Sequence, residues 1–187
     1  MGKVIVQQLV TLDGFMADEN GGISFHSEVD DFSESDASQL ALLETVGHVL
    51  LGAGTYRLFV DFWPTPTAAD EPVADRLNSL PKTVVSRSLG TAPWGDFAPV
   101  TVERRDPVIV ARDLASGEGN VMVWGSIELS RALFAGEMVD ELHLTVLPVT
   151  LGDGIGYLPS DFGMHRLTLL RCESYSSGIL NLVYSLR

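Results

Sequence analysis

The sequence predicts an α/β fold with a mostly parallel central sheet, helices on both faces and an antiparallel C-terminal hairpin. Two observations predict it. Short apolar runs that end in glycine turns alternate with helical patterns over the first three quarters of the chain, whereas β-rich runs alone fill the last quarter. The 187 residues, 45% of them hydrophobic, suffice for one sizeable core, so we expect a single domain over residues 1–187.

The first half of the chain begins with a strand and a long loop. A β-branched run predicts the strand at residues 4–12, and the polar composition of residues 18–35 is typical of a surface loop that binds a ligand. Further along, turn residues separate short patterned segments. These predict a strand at 49–51, helices at 56–63 and 71–79, and strands at 82–86 and 100–102.

A helix is predicted between the loop and the second strand, over residues 36–46. Ser33 or Ser35 is the expected N-cap, because a serine hydroxyl can accept from the first free backbone N–H groups. The spacing of apolar residues predicts one apolar stripe. Its members are Ala37, Leu40, Leu43 and Gly47.

The second half repeats the pattern of strand, glycine turn and helix, and then changes. Pro107 suits the first turn of a helix, and Gly136 suits the end of another. The predicted elements are a helix at 107–114, a strand at 121–124, a helix at 127–134, and β-rich runs at 142–151, 165–174 and 179–186. The last two runs are joined by Ser176, Ser177 and Gly178, which predict a tight hairpin.

Three turns follow predicted parallel strands and therefore meet at one edge of the sheet, where open α/β folds bind ligands. A single glycine after a strand commonly does no more than make a tight turn. Three turns at equivalent positions favour an extended nucleotide held by backbone N–H groups. The turns comprise Gly52, Ala53, Gly54 and Thr55; Ser86, Arg87 and Ser88; and Gly125 and Ser126, which follow Trp124.

Charge and composition exclude several classes of function. Twelve Lys and Arg against 25 Asp and Glu give a net charge of −13, which argues against nucleic acid or an anionic membrane as a partner. No signal peptide or membrane-spanning run is evident. Cys172 is the only cysteine, which excludes an internal disulfide and suits the cytoplasm, and we expect it to be a small core residue. The four histidines lack metal-ligand spacing, so no metal site is predicted.

Two carboxylates occupy positions that suit a bound heterocycle. Asp13 closes the first strand at the mouth of the crevice, and Asp36 begins the neighbouring helix, so both can hydrogen-bond ring nitrogens. Simpler interpretations are available for each. Asp13 and Gly14 make a good turn, and Asp36 in a first helical turn stabilises the macrodipole. Spacing alone favours these simpler interpretations.

Five segments in order resemble the dihydrofolate reductase-like proteins, specifically the group related to the reductase domain of bacterial riboflavin biosynthesis. The resemblance covers essentially the whole chain. The segments are Thr11-Leu12-Asp13-Gly14-Phe15-Met16-Ala17, Leu51-Gly52-Ala53-Gly54-Thr55-Tyr56, Val84-Val85-Ser86-Arg87-Ser88-Leu89, Val123-Trp124-Gly125-Ser126-Ile127-Glu128-Leu129, and Val139-Asp140-Glu141-Leu142 leading to Leu147-Pro148-Val149-Thr150-Leu151-Gly152-Asp153-Gly154.

The resemblance implies a dihydrofolate reductase-like three-layer fold and NADPH as cofactor. It implies that the turns at 52–55 and 125–126 surround the phosphates, with Ser86 and Arg87 at the adenosine 2′-phosphate. It also raises Asp36 as a substrate-binding acid, since Asp36 lies 16 residues before Gly52, a separation similar to that of the pterin-binding acid.

Three positions depart from the group's pattern. Ala53 stands where an arginine is common, Gln8 where the riboflavin reductases tend to have lysine, and Trp124-Gly125-Ser126 where they usually have Glu-Gly-Gly. These departures argue for a substrate other than the riboflavin intermediate.

We therefore expect an NADPH-dependent reductase of a small heteroaromatic substrate, pterin or aminopyrimidine-like, or of a carbonyl compound. The alternative is a nucleotide-binding protein of the same fold without turnover, which the missing arginine favours. An interaction module with no small ligand would leave the three glycine turns unexplained. A homodimer through the apolar C-terminal strands is expected, because pairing covers an edge prone to aggregation.

Overall fold

An eight-stranded sheet forms the centre of the protein in a computed structural model that describes residues 2–187. The strands are β1 (Val4–Thr11), β2 (Phe15–Ala17), β3 (Val46–Gly52), β4 (Lys82–Val85), β5 (Thr101–Glu103), β6 (Asn120–Trp124), β7 (Glu141–Leu147), β8 (Ile155–Gly156), β9 (Thr168–Ser174) and β10 (Leu180–Ser185). The α-helices are α1 (Ser33–Leu43), α2 (Ala53–Val60), α3 (Ala74–Ser79), α4 (Pro107–Ala115) and α5 (Ile127–Ala135).

The strand order confirms the predicted architecture. The sheet runs β5-β4-β3-β6-β1-β7-β10-β9, parallel from β5 to β7, and β10 and β9 are antiparallel at the other edge. β2 and β8 form a separate two-stranded sheet that the sequence did not predict. The carboxyl ends of β4, β3 and β6 lie side by side, as the three predicted turns require.

Helices cover both faces of the sheet. On the α1 face, which also carries α2 and α3, Leu43, Tyr56 and Leu77 pack in one core. On the α5 face, which also carries α4, Val110 and Leu133 pack in a second core. Alternation along each strand decides which side chains serve which core. The two faces therefore present different residues of β1 and β6 to their helices.

Helix α1 differs from the prediction at both ends and on its buried side. It begins at Ser33 with Phe32 at the N-cap and no side-chain cap, so neither Ser33 nor Ser35 plays the expected role. The expected apolar stripe is wrong, because Ala37 is exposed and Gly47 belongs to β3. The buried residues of α1 are Ser35, Gln39 and Leu43. Gln39 can be polar and buried because its amide pairs with that of Gln7 on the strand beneath it.

Several other helices and strands begin or end a few residues from the predicted positions. The predicted helix at 56–63 begins earlier, at Ala53, so the turn residues after β3 form its first turn. The helix predicted from residue 71 begins at Ala74, and the strand predicted over 142–151 ends at Leu147. Part of the predicted loop at 18–35 is a 3₁₀ helix, Ser24–Glu28, anchored by buried Phe25.

The edge strand β9 is exposed along most of its length, and Cys172 on it is exposed rather than in the core as expected. Leu169 and Leu170 are each 52% exposed. The expected burial of Cys172 fails because nothing within residues 2–187 covers this edge. No helix in the described part of the chain has the length and hydropathy to cross a membrane.

Candidate functional site

Strands β3 and β6 are neighbours, and the chain leaves them in opposite directions. From β3 it continues through α2 to β4, and from β6 it continues through α5 and passes β1 to reach β7. Open α/β sheets bind ligands at such a switch point, beyond the carboxyl ends of the strands. Helices α2 and α5 both begin there.

The two turns at the switch point contact each other. The backbone N–H of Gly52 donates to Ser126 Oγ at 2.8 Å. Ser126 has φ 68° and ψ 72°, a left-handed conformation uncommon for a residue other than glycine, and Gly125 also has φ 68°. A Cβ on Gly125 would lie 3.5 Å from Thr55 Oγ1, an ordinary contact distance, so the positive φ rather than a lack of space favours glycine at this position. Strained backbone of this kind is concentrated at functional sites.

The first backbone N–H groups of α2 and α5 have no side-chain cap. A helix leaves these groups without internal partners, and its macrodipole favours negative charge beside them. Gly54 is exposed, with no atom within 4 Å of the position a Cβ would take. The first turn of α2 has no acidic residue, whereas that of α5 has Glu128. The start of α2 is therefore the more favourable of the two for an anion.

A buried polar network supports the turn after β6. Gln8 of β1 is 1% exposed, and its Nε2 donates to Gly125 O and to Ser130 Oγ, each at 3.2 Å. Ser130 Oγ in turn donates to Ser126 O at 2.8 Å. The backbone N–H of Gly125 donates to Gln7 O at 3.0 Å. The Oε1 atom of Gln8 is buried and has no hydrogen-bond partner among residues 2–187.

The turn after β4 is held by its own serine. Ser86 is buried, and its Oγ accepts from the backbone N–H groups of Ser88 and Leu89 at 3.2 and 3.1 Å. Ser88 and Arg87 are exposed. Arg87 has no ion pair or hydrogen bond within residues 2–187, so its guanidinium is available to a ligand. Ser86 supports the loop, which leaves Arg87 and Ser88 as the groups that can reach a phosphate.

Trp124 lies at the edge of an aromatic cluster on the α1 face. Its ring centroid is 5.5 Å from that of Phe59 and 5.6 Å from that of Trp63. Phe62 contacts Trp63 edge-on at 5.1 Å. Phe59, Trp63 and Trp124 are each only partly buried. The cluster therefore gives the switch point an apolar, aromatic wall beside the turn at 125–126.

Asp36 lies on helix α1, on the same face of the sheet as the aromatic cluster. Gln39 Nε2 donates to Gln7 Oε1 at 2.9 Å, and Gln7 is the Cα partner of Trp124 across β1 and β6. Asp36 precedes Gln39 by about one helical turn, toward the carboxyl ends of the strands. Asp36 and Trp124 therefore lie on the same face of the sheet and toward the same end of its parallel strands.

The Asp36 carboxylate is half-buried and has no hydrogen-bond donor or cation beside it within residues 2–187. Burial raises the pKa of the Asp36 carboxyl above its ordinary value, and the negative charges of Glu71 and Asp31 raise it further. A group in this setting retains its proton to higher pH than a solvated aspartate, so it suits hydrogen bonding to a substrate ring or delivery of a proton.

Asp13 is in a different environment. Its carboxylate accepts from Thr11 Oγ1 at 2.6 Å, from Gly152 N at 2.8 Å and from Leu151 N at 3.1 Å. The Thr11 hydroxyl and these backbone N–H groups hold the pKa of the exposed Asp13 carboxyl below its ordinary value. With its oxygens occupied in this way, Asp13 joins the end of β1 to the loop after β7.

Within residues 2–187, no cluster of three or more His, Cys, Asp or Glu side chains has the arrangement of a metal site. The arrangement instead fits an extended dinucleotide. Two uncapped helix starts meet at the switch point, Gly125 leaves a gap that a Cβ would fill, and Gln8 presents an unpaired acceptor beside them.

Sequence reasoning identified the three turns and Asp36 but missed several residues that surround them. Ser130 beneath the turn, and Phe59 and Trp63 beside it, were not singled out, and Gln8 was noted only as a departure from the pattern of the resembled group. A signal for Gln8 was present, because two adjacent glutamines in an otherwise apolar buried strand need buried partners. Nothing in the sequence places Phe59 or Trp63 beside Trp124.

Comparisons with known proteins agree with this geometry. A family model described as the RibD C-terminal domain matches residues 2–181. The uncharacterized protein YwjB of Bacillus subtilis (strain 168) is 26% identical over 153 residues, which cover 82% of this chain and 80% of that protein.

Two solved structures share the fold. A protein assigned to riboflavin biosynthesis in Shewanella sp. PV-4 has a TM-score of 0.79 at 21% identity, and the match covers 99% of each chain. Dihydrofolate reductase from Enterococcus faecalis, complexed with NADP(H), has a TM-score of 0.62 at 15% identity, covering 98% of this chain and 96% of the other. At these identities the likeness establishes the fold alone.

Proposed function

Because the chain belongs to the RibD C-terminal domain family, we propose that it is an NADPH-dependent reductase of a small heteroaromatic or carbonyl substrate. The observation that carries this proposal is the meeting of two uncapped helix starts at the switch point, joined by the hydrogen bond from Gly52 to Ser126. The resemblance to a dihydrofolate reductase complexed with NADP(H) supports the choice of cofactor.

Backbone groups do most of the phosphate binding in this proposal. The N–H groups of Ala53, Gly54 and Thr55 bind the pyrophosphate, and Gly125 and Ser126 close the opposite side. Ala53 adds no charge, so the backbone supplies the attraction at this turn. Because the whole molecule carries a net charge of −13, a local cation is needed for any further phosphate.

Arg87 is that cation. It follows β4, next in the sheet to β3, and its guanidinium has no partner within residues 2–187. A guanidinium with the neighbouring Ser88 hydroxyl suits the adenosine 2′-phosphate, which distinguishes NADPH from NADH. The dinucleotide then extends from the end of β4 across β3 and β6.

The α1 face supplies the substrate site. A bound reduced nicotinamide supplies a hydride, and the chain orients both reactants and excludes water. Phe59, Trp63 and Trp124 form the apolar wall, and the Asp36 carboxylate accepts a charge-assisted hydrogen bond from a protonated ring nitrogen of the substrate. Asp13, whose oxygens accept from Thr11 and the loop after β7, positions the end of β1 rather than the substrate.

A nucleotide-binding protein without turnover remains the second candidate, favoured by the absence of a cationic side chain at Ala53. One experiment separates the two. Purified protein is mixed with NADPH and then with pterins, aminopyrimidines and dicarbonyls while the absorbance of the reduced nicotinamide is followed. Oxidation that depends on one substrate class supports the reductase. Tight NADPH binding without oxidation by any compound supports the alternative.

A further inference from the structure

Gln8 is a buried polar residue in the middle of an apolar strand. Its neighbours on the same face of β1, Val6 and Val10, belong to the core of the α5 face. Gln8 itself is 1% exposed, and both hydrogen bonds of its Nε2 go to the turn and first helical turn after β6. The amide group is therefore directed at the start of α5.

Through this amide, β1 is connected to both sides of the switch point. Gln8 donates to Ser130 Oγ, Ser130 Oγ donates to Ser126 O at 2.8 Å, and Ser126 Oγ accepts from Gly52 N at 2.8 Å. These contacts hold Ser126 in its left-handed conformation. A substitution at Gln8 should therefore alter the turn at 125–126, although the two segments are far apart in the sequence.

The other half of the amide has no partner. Oε1 of Gln8 is buried, and no donor in residues 2–187 reaches it. A buried acceptor without a donor is unfavourable, so such atoms are rare and mark a missing ligand or water. The backbone N–H groups at the start of α5 also lack a side-chain cap. Two independent features at one place thus call for a ligand.

The position of β1 indicates which part of a dinucleotide this ligand is. In the sheet, β4 and Arg87 lie on one side of the β3–β6 switch point, and β1 lies on the other. If the 2′-phosphate binds near Arg87, the nicotinamide riboside extends toward β1. That half carries N–H donors on its carboxamide and O–H donors on its ribose.

We propose that Gln8 is a positioning residue for the cofactor, whose Nε2 fixes the turn at 125–126 and whose Oε1 accepts a hydrogen bond from the nicotinamide riboside. This inference rests on the proposed NADPH site. It assigns a role to a residue of β1 that lies far from all three turns in the sequence. It also explains why a polar side chain is retained in the core beneath α5.

The test uses Gln8→Met, which keeps the length of the side chain and removes both the donor and the acceptor. Calorimetry measures the affinity for NADPH and for adenosine 2′-phosphate 5′-diphosphate, which keeps the pyrophosphate and lacks the nicotinamide riboside. We expect Gln8→Met to weaken NADPH by about 10-fold, the size of one lost buried hydrogen bond, and to change binding of adenosine 2′-phosphate 5′-diphosphate much less. Amide hydrogen exchange at Gly125 and Ser130, whose N–H groups donate to Gln7 O and Ser126 O, should become faster in the free protein.

Asn181→Leu is the matched control. Asn181 on β10 also has a buried oxygen without a partner, but its Nδ2 donates to Tyr175 OH, away from the switch point. This variant should bind NADPH as the wild-type protein does. Ser130→Ala, which removes one contact of Gln8 with little change in volume, should show a smaller loss in the same direction and serves if Gln8→Met does not fold.

The outcomes separate the two proposals. Wild-type affinity and unchanged amide exchange in Gln8→Met overturn the role of Gln8. Equal losses for NADPH and adenosine 2′-phosphate 5′-diphosphate overturn the riboside contact. If the wild-type protein itself binds no NADPH, the proposed cofactor fails, and this inference fails with it.

Discussion

Gly52 and Ser126, 74 residues apart in the chain, are joined by a 2.8 Å hydrogen bond between the Gly52 N–H and Ser126 Oγ. The bond links the end of β3 to the start of α5 across the switch point. It sets the distance between the two helix starts that we propose to bind the pyrophosphate. Ser126 makes this contact from a left-handed backbone conformation, which costs free energy for a residue with a Cβ.

Two substitutions at Ser126 separate the hydroxyl from the backbone strain. Ser126→Ala removes the hydroxyl and keeps the strain, so we expect weaker NADPH binding and a free energy of unfolding lower by about 0.5–1.5 kcal/mol. Ser126→Gly removes both, so it should lose NADPH affinity while recovering part of the stability, because glycine adopts positive φ readily. Calorimetry and thermal unfolding measure the two quantities. Wild-type NADPH affinity in both variants would contradict the assignment.

Asp36→Asn should raise the free energy of unfolding at neutral pH and lower kcat/KM. The pKa of Asp36 is raised, so the folded state binds its proton more tightly than the unfolded state does, and stability falls as pH rises through this window. At neutral pH the charged Asp36 carboxylate therefore destabilises the folded state, and asparagine removes this destabilisation. The loss of a charge-assisted hydrogen bond to substrate, about 1.5–3 kcal/mol, should lower kcat/KM by roughly 10- to 150-fold.

Asp75→Asn is the control for Asp36, because Asp75 also lies in the first turn of a helix. It should lose about 0.3–1 kcal/mol of stability at low salt and no activity. Denaturant unfolding at neutral and acidic pH, with turnover on the substrate found, distinguishes the two variants. If Asp36→Asn behaves as Asp75→Asn does, Asp36 stabilises the helix only.

Arg87→Ala should reduce the preference for NADPH over NADH. A charge-assisted contact to the 2′-phosphate of about 1.5–3 kcal/mol corresponds to a loss of roughly 10- to 150-fold for NADPH, with NADH nearly unchanged. The salt dependence of NADPH binding should flatten as well. Arg112→Ala, which removes another exposed arginine on α4, is the control and should change neither cofactor. Equal losses for both cofactors in Arg87→Ala would show that Arg87 does not recognise the 2′-phosphate.

The exposed edge strand β9 predicts a homodimer. An edge that presents Leu169 and Leu170, each 52% exposed, is prone to aggregation unless a second copy covers it. Light scattering at micromolar concentration should give the mass of a dimer, and Leu169→Lys should give a monomer. Leu58→Lys, at a leucine 56% exposed on α2, should leave the dimer intact. A monomer mass for the wild-type protein would refute the prediction.

The sheet and its strand ends were predictable because local signals and topology agree there. Short apolar runs closed by glycine mark β3 and β6, and the change to β-rich runs marks the C-terminal hairpin. Helix α1 was misjudged because the prediction assumed an apolar buried side. Its buried Gln39 is instead matched by Gln7 on the strand beneath, and such a pairing between distant segments is not visible in the periodicity of either.

The candidate site, like the fold, was predictable only in part. The turns at 52–55 and 125–126 follow from strand order, whereas the contacts that support them come from residues far apart in sequence. Asp13 illustrates the limit: as a turn aspartate it was recognisable, but its hydrogen bonds to Leu151 and Gly152 depend on where the loop after β7 returns. Cys172 was expected in the core but is exposed, because the number of cysteines carries no information about which strand forms the edge of the sheet.

Titration of the protein with NADPH under tryptophan excitation shows whether the cofactor binds beside the turn at 125–126. Trp124 precedes the turn that we propose to bind the cofactor, so its emission should fall as energy transfers to the reduced nicotinamide. Trp124→Phe should lose more of the signal than Trp94→Phe, at a tryptophan fully buried in the core of the α1 face, and Trp63, 5.6 Å from Trp124, should supply part of what remains. Saturable binding with this pattern is the result that the proposed reductase predicts. The absence of any NADPH interaction at millimolar concentration, by fluorescence and by calorimetry, would contradict it.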